Sequence, residues 1–95
     1  MFDVKILTAE EVYYEGKAHG VVAPGKDGYL EILTNHASLI TVLKEGDLVV
    51  INPDKHELSY KLTGGFLEVH QNEVSILADS IEVLKGPHIS LAGLT

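Results

Sequence analysis

Five histidines are the residues of this sequence whose chemistry could serve a metal or a proton transfer, because imidazole titrates near neutral pH and ligates metals. They are spread almost evenly along the chain, at His19, His36, His56, His70 and His88. None forms the close His-x-His or His-x-x-x-His pair that metal sites usually supply, and there is no cysteine. A site would need histidines and carboxylates from distant strands. The spacing therefore favours surface histidines, with a small β-fold metalloenzyme as one alternative.

Lys55 is the second candidate, because it follows Asp54 at a predicted hairpin tip. Swinging-arm carrier domains are small, acidic and all-β, and they present a modified lysine on such a turn. Here Pro53 and His56 flank the pair, so neither the Asp-Lys-Ala nor the Met-Lys-Met signature is present. Charged residues are common in turns, and we expect an ordinary turn lysine. A carrier domain modified on Lys55 remains the second alternative.

Other catalytic signatures are missing. The sequence has no Gly-x-Ser-x-Gly elbow. Gly20 to Gly28 contains three glycines, but it lacks both the Gly-x-Gly-x-x-Gly spacing and the Lys-Ser/Thr ending of phosphate loops. We therefore expect turn geometry rather than anion binding in this stretch, and no bound cofactor.

The composition further limits the class of protein to which this chain can belong. Ninety-five residues with 45% hydrophobic content make one globular domain at most. The 7 basic and 14 acidic residues give a net charge of −7, which disfavours binding to phosphate backbones. No apolar run approaches the ~18 residues that span a bilayer, and the N-terminus lacks the pattern of an export signal. We expect a soluble protein that acts where it is made, or a mature chain already processed.

The elements that must position any site are strands. Apolar residues alternate with polar ones in residues 2–6, 57–62 and 73–78, which is the period of half-buried strands. Residues 20–23 and 47–51 are valine-rich and predict strands with less exposed faces. Turn signals separate the strands at short intervals, at Gly25–Gly28, Asn52–Lys55, Gly64–Gly65, Gln71–Asn72 and Gly86–Pro87. The pattern predicts an all-β, two-sheet antiparallel sandwich of about ten short strands.

Two segments are ambiguous. Residues 35–46 could be a helix capped by Asn35 and ended by Gly46, but β-branched residues in the middle favour a strand. Residues 9–15 also look weakly helical, opened by Thr8. We expect a single turn or a loop there, cut short at Gly16.

Two long motifs resemble a known family. Residues 28–41 read Gly-Tyr-Leu-Glu-Ile-Leu-Thr-Asn-His-Ala-Ser-Leu-Ile-Thr, similar to the Gly-x-Leu-Gly-Ile-x-x-x-His-Ala-Pro-Leu-(Leu/Ile)-Thr segment of ATP synthase epsilon subunits. Residues 62–69 and 74–79 resemble that family's Ser/Thr-Gly-Gly-x-Leu-Glu-Val strand and the Val-x-(Val/Ile)-Leu-Ala-Asp that follows. Lys-Glu-Gly at 44–46 falls where the family has Lys-Pro-Gly. The resemblance covers about Phe2 to Asp79 in consistent order.

The resemblance implies a non-catalytic subunit of the central stalk of a rotary, proton-translocating ATP synthase. Such a subunit binds the gamma subunit on one side and rests on the polar loops of the membrane c-ring. It couples ion flow to ATP synthesis mechanically, as part of the rotor. It would be peripheral to the cytoplasmic face of a bacterial plasma membrane, or to the stromal face of a thylakoid membrane.

The same resemblance suggests the contact residues. Lys26, Asp27, Gly28 and Tyr29 would face the c-ring, and Asn35, His36 and Ala37 would sit beside them. His36 and Thr41 would lie near gamma. Tyr29 is the sharpest of these predictions, because buried aromatic anchors are enriched at interfaces.

This sequence also departs from the family pattern. Glu31 and Ser38 replace a usual glycine and proline, so the loop around His36 could follow a different path. We expect a domain over residues 1–79, followed over 80–95 by a short extension of one final strand and a tail. The family continues there into a helical hairpin with inhibitory and, in some members, nucleotide-binding roles. Gly86-Pro87 forbids one continuous helix, so those roles are not carried over, and the composition of 80–95 favours a naturally short chain.

Overall fold

The computed structural model describes residues 1–86. Within them the chain is all strand and turn, and no helix has the length and apolar character needed to cross a membrane. Ten strands follow one another along the described part of the chain: β1 Phe2–Leu7, β2 Val12–Ala18, β3 Gly20–Gly25, β4 Gly28–Ile32, β5 Leu39–Leu43, β6 Gly46–Ile51, β7 Glu57–Leu62, β8 Gly65–His70, β9 Glu73–Ala78 and β10 Ile81–Lys85.

The strands form a sheet that curls over a single core. Its order is β10-β7-β6-β3-β5-β8-β9-β1-β2, with β4 on β3. β3 joins the two halves, because it pairs with β6 over Gly20–Val22 and with β5 at Gly25. Pairing is antiparallel except between β1 and β9, which run parallel. The predicted all-β sandwich of about ten strands is confirmed.

The core follows from the alternation in the sequence. In β1, β8 and β9 the side chains of one parity are buried, and those of the other parity are exposed or half-buried. The largest fully buried side chain is Tyr60. Burial, followed by the influence of Tyr14, raises the pKa of Tyr60 to about 12, so its hydroxyl is neutral at physiological pH. A neutral phenol is far less costly to bury than a charge.

The interpretation of residues 9–15 as a turn or loop is wrong for most of its length. The Thr8 hydroxyl accepts hydrogen bonds from Glu10 N (3.3 Å) and Glu11 N (3.2 Å), which makes a short turn. β2 then begins at Val12 and continues through Gly16, which pairs with Val4 of β1. Pairing with β1 therefore overrides the helical capping signal and the break expected at Gly16.

The other ambiguous segment is resolved as a strand. Leu39–Leu43 forms β5, which pairs with β8 along its whole length. The stretch before it, 33–38, is a loop with Asn35 at φ 65°. The preference for strand over helix is confirmed for the β-branched part of the segment.

The chain that follows β9 contributes another strand to the sheet. β10 pairs with β7 from Ile81 opposite Leu62 to Lys85 opposite Ser59. Pro87, His88 and the tail to Thr95 lie outside the described residues. The proposed division into a domain over 1–79 and an extension over 80–95 stays a prediction.

Candidate functional site

The turn between β3 and β4 carries the four residues predicted to face the ring. Lys26 and Asp27 are exposed at its tip, and Gly28 follows at φ 133°. The turn is fixed to β5, because Lys26 N donates to Val42 O at 2.9 Å. The Tyr29 side chain is 59% exposed, yet its hydroxyl accepts a hydrogen bond from Asp47 N at 3.1 Å. The structure thus presents an aromatic ring to solvent in a tethered orientation.

The loop between β4 and β5 carries the second predicted group. Asn35 and Ala37 are exposed and His36 is half-buried. His36 N donates to Leu33 O at 3.1 Å, and His36 Nδ1 lies 2.7 Å from Ala37 O. Asn35 N donates to the side-chain oxygen of Asn72 at 2.7 Å. The loop therefore has a defined path, connected to the turn between β8 and β9.

The two groups lie at opposite ends of β4. Gly28 and Tyr29 are the first two residues of β4, and the three remaining residues, at about 3.3 Å each, separate them from the loop by roughly 10 Å along the strand. Residues 35–37 were expected beside residues 26–29; β4 lies between most of the two groups along the chain, and their contact roles stay predictions. The tip of the turn and the loop therefore lie at different ends of β4.

Thr41 belongs to neither group. It is half-buried and pairs with Leu67, which is fully buried. Its neighbours Ile40 and Val42 point to the opposite face of the sheet and are 73% and 46% exposed. Thr41 therefore lies on the core-facing side of β5, and its position near gamma stays a prediction.

The outer surface of β5, β8 and β9 carries an exposed cluster that the sequence analysis missed. We call it the apolar face; it consists of Ile40, Val42, Phe66 and Leu77. Phe66 is 56% exposed and pairs with Val42 on one side and with Leu77 on the other. Leu77 is 46% exposed. Directly paired side chains on one face lie within about 5 Å of each other, so the cluster is continuous.

A sequence signal for this face does exist. Residues 40, 42, 66 and 77 are the outward members of their strands, where alternation calls for polar residues. Large apolar side chains at such positions mark interaction surfaces when they are contiguous. Which of them are contiguous depends on the register of three strands, and that is visible only in the fold.

Two alternatives were left open by the sequence, a metalloenzyme that uses the histidines and a carrier domain modified on Lys55. Within residues 1–86, no three His, Asp or Glu side chains gather as a group that could hold a metal ion. Lys55 is exposed on the turn between β6 and β7 at φ 66°, where its N–H donates to Asn52 O at 2.8 Å. A hydrogen-bonded turn with a solvated lysine is ordinary turn geometry.

The fold and the motif positions agree with one family. The sequence model of the ATP synthase, Delta/Epsilon chain, beta-sandwich domain matches residues 1–83. The chain belongs to this family. The resemblance predicted from the motifs at 28–41 and 62–79 is confirmed, and the family match extends into β10.

Relatives named ATP synthase epsilon chain include two of different lengths. The one from Protochlamydia amoebophila is 40% identical over 82 residues, which are 86% of this chain and 56% of that protein. The one from Chlorobium limicola is 35% identical over 80 residues, which are 84% of this chain and 91% of that protein. The chain thus spans about half the length of some epsilon relatives and nearly all of another.

Solved structures show the same fold at lower sequence identity. A chain of the Euglena gracilis mitochondrial ATP synthase, in a structure of OSCP, F1 and c-ring, matches with a TM-score of 0.80 at 19% identity, over 85% of this chain and 52% of that one. A chain of the Tetrahymena thermophila mitochondrial ATP synthase central stalk and c-ring matches with a TM-score of 0.72 at 20% identity, over 84% and 64%. At these identities the likeness concerns the fold alone.

Proposed function

We propose that this epsilon-family chain is a non-catalytic rotor subunit of an ATP synthase, which links the gamma subunit to the c-ring. Family membership supports the assignment to the complex. Both solved structures that share the fold contain the c-ring, and one of them is of the central stalk, which supports a position there. The subunit would be peripheral to the membrane, on the cytoplasmic face of a bacterial plasma membrane.

The proposed contact with gamma rests on one observation, the apolar face. Its four side chains are 46% to 73% exposed. Contiguous apolar surface of this kind is costly in water and is typically covered by a partner. The apolar face includes two residues of β5, Ile40 and Val42, and Thr41 lies between them in sequence. The loop that carries His36 leads into the same strand. Gamma would therefore cover the apolar face and reach the loop at its edge.

The ring half of the proposal rests on the turn between β3 and β4. Lys26 and Asp27 are charged and exposed, and Tyr29 offers a large ring whose hydroxyl is already held by Asp47 N. Such a residue loses little side-chain freedom on binding, which favours affinity. Because β4 separates the turn from the His36 loop, the two partners can be contacted at once.

The mechanism that follows is mechanical. Ion flow would turn the ring, the sandwich would hold ring and gamma together, and ATP would be made elsewhere in the complex. Strands paired across the whole domain around a close-packed core deform little under load. A rigid body without reactive groups is sufficient for this task.

Replacing Tyr29 by aspartate tests the ring contact. We expect docking to the c-ring to weaken about tenfold or more, the equivalent of ~1.4 kcal/mol, because the aromatic anchor is lost. Proton-driven ATP synthesis in reconstituted membranes should fall accordingly. The isolated domain should stay folded, since the Tyr29 side chain is mostly exposed.

Tyr29→Phe is the matched control. It keeps the ring and removes only the hydroxyl that accepts from Asp47 N. This variant should retain most of the synthesis activity. Unchanged synthesis with Tyr29→Asp would contradict the assignment of this turn to the ring.

A further inference from the structure

Two asparagine side chains connect parts of the chain that are distant in sequence. Asn35 N donates to Asn72 Oδ1 at 2.7 Å, and Asn72 Nδ2 donates to Asn35 Oδ1 at 3.0 Å. One amide thus binds both the backbone and the side chain of the other residue. We call these two hydrogen bonds the asparagine bridge.

Asn72 is the fixed end of this bridge. It occupies the two-residue turn between β8 and β9, where Gln71 and Asn72 have φ 49° and 61°. Two successive residues with positive φ are typical of the tight hairpin turns that match strand twist. The Asn72 carbonyl also accepts a hydrogen bond from Asp3 N at 2.9 Å, which ties the turn to β1. Val74 and Phe2, just beyond these contacts, are buried in the core.

Asn35 is the end that needs support. It has φ 65° in an exposed loop, a conformation that a non-glycine residue adopts only at some cost. The neighbouring contacts of His36, to Leu33 O and Ala37 O, are local and cannot fix the loop relative to the sheet. The asparagine bridge supplies a long-range restraint, across 37 positions in sequence.

We propose that Asn72 is a positioning residue, which holds the 33–38 loop in the conformation that binds the gamma subunit. The inference rests on the proposed function, since the loop leads directly into β5 of the apolar face. A loop held in one conformation binds without first having to order itself. If the bridge is removed, only a fraction of molecules has the competent loop, and the apparent affinity falls to that fraction of its value with the loop fully held.

Asn72→Gly is the variant that removes the bridge while sparing the turn. Glycine adopts φ 61° without strain, and the Asn72 carbonyl remains available to Asp3 N. Gln71→Gly is the matched control, because it makes the same change at the adjacent positive-φ position. Asn72→Asp is a third variant, which keeps the oxygen that accepts from Asn35 N but cannot donate to Asn35 Oδ1.

The measurements are affinity for purified gamma by calorimetry, thermal midpoint, and hydrogen exchange of the Asn35 amide by NMR. We expect Asn72→Gly to bind gamma about tenfold more weakly than Gln71→Gly. The loss of two exposed hydrogen bonds is large enough to give a change of this size. The two glycine variants should have similar thermal midpoints, and only Asn72→Gly should expose the Asn35 amide to fast exchange. Asn72→Asp should fall between Asn72→Gly and the unaltered chain in affinity.

Equal gamma affinities of Asn72→Gly and Gln71→Gly would overturn the positioning role. Slow Asn35 exchange in Asn72→Gly would also overturn it, because the bridge would then not hold the loop. If the unaltered chain does not bind gamma, the proposed function fails and the inference fails with it. The first two results leave gamma binding by the unaltered chain intact, so the failures are distinguishable.

Discussion

Replacing Gly65 by alanine is expected to destabilise the domain by about 3 kcal/mol or more, a large part of the ~5–15 kcal/mol that stabilises a folded domain. Gly65 has φ 141°, which side-chain-bearing residues rarely adopt. A Cβ atom there would lie 2.8 Å from Ala78 Cα and would also collide with Leu77 O. Both obstacles are backbone atoms of the paired strand β9, so β8 and β9 would have to separate.

Gly28→Ala is the matched control for this prediction. Gly28 has φ 133°, close to that of Gly65, but a Cβ atom would meet nothing within 4 Å. The control therefore measures backbone strain alone, at about 1–3 kcal/mol. Urea unfolding of both variants compares the two free energies. If Gly65→Ala lowers the free energy of unfolding no more than Gly28→Ala does, strands β8 and β9 accommodate the added Cβ atom and the prediction is wrong.

Replacing Phe66 by aspartate is expected to weaken binding to gamma by at least about thirtyfold, as removal of a central interface residue does. Phe66 stands in the middle of the apolar face, between Val42 and Leu77. The substitution removes the largest apolar side chain of the face and places a charge where the proposed complex excludes water. Since Phe66 is 56% exposed, the free domain should keep its fold.

Leu84→Asp controls for the added negative charge. Leu84 is 48% exposed on β10, which lies in the other half of the strand order. Calorimetry with gamma at constant salt should find Leu84→Asp close to the unaltered chain. Comparable losses for the two variants would indicate a general charge effect, and intact binding by Phe66→Asp would remove the apolar face from the interface.

Much of the fold could be predicted from local patterns. Alternation with a period of two identifies β1, β7 and β9, because one face of each strand is buried. The turn residues also locate hairpins correctly, since Gln71 and Asn72 tolerate positive φ. The β-branched residues of β5 favour a strand over the helix that Asn35 and Gly46 could have capped.

The parts that could not be predicted depend on contacts between distant segments. β2 was missed because its pairing with β1 outweighs a local capping signal at Thr8. The separation of Tyr29 from His36 follows from the direction of β4, which the motif alone does not reveal. The asparagine bridge joins Asn35 to Asn72 only because the β8–β9 turn meets the loop in space.

The direct test of the account is complex formation between the chain and the gamma subunit of the same organism. Both proteins would be purified separately, mixed at about 0.15 M salt, where surface charges are largely screened, and passed through a sizing column. We expect a stoichiometric complex that elutes ahead of either protein. Separate elution at concentrations well above micromolar would contradict the central claim that this sandwich couples gamma to the ring.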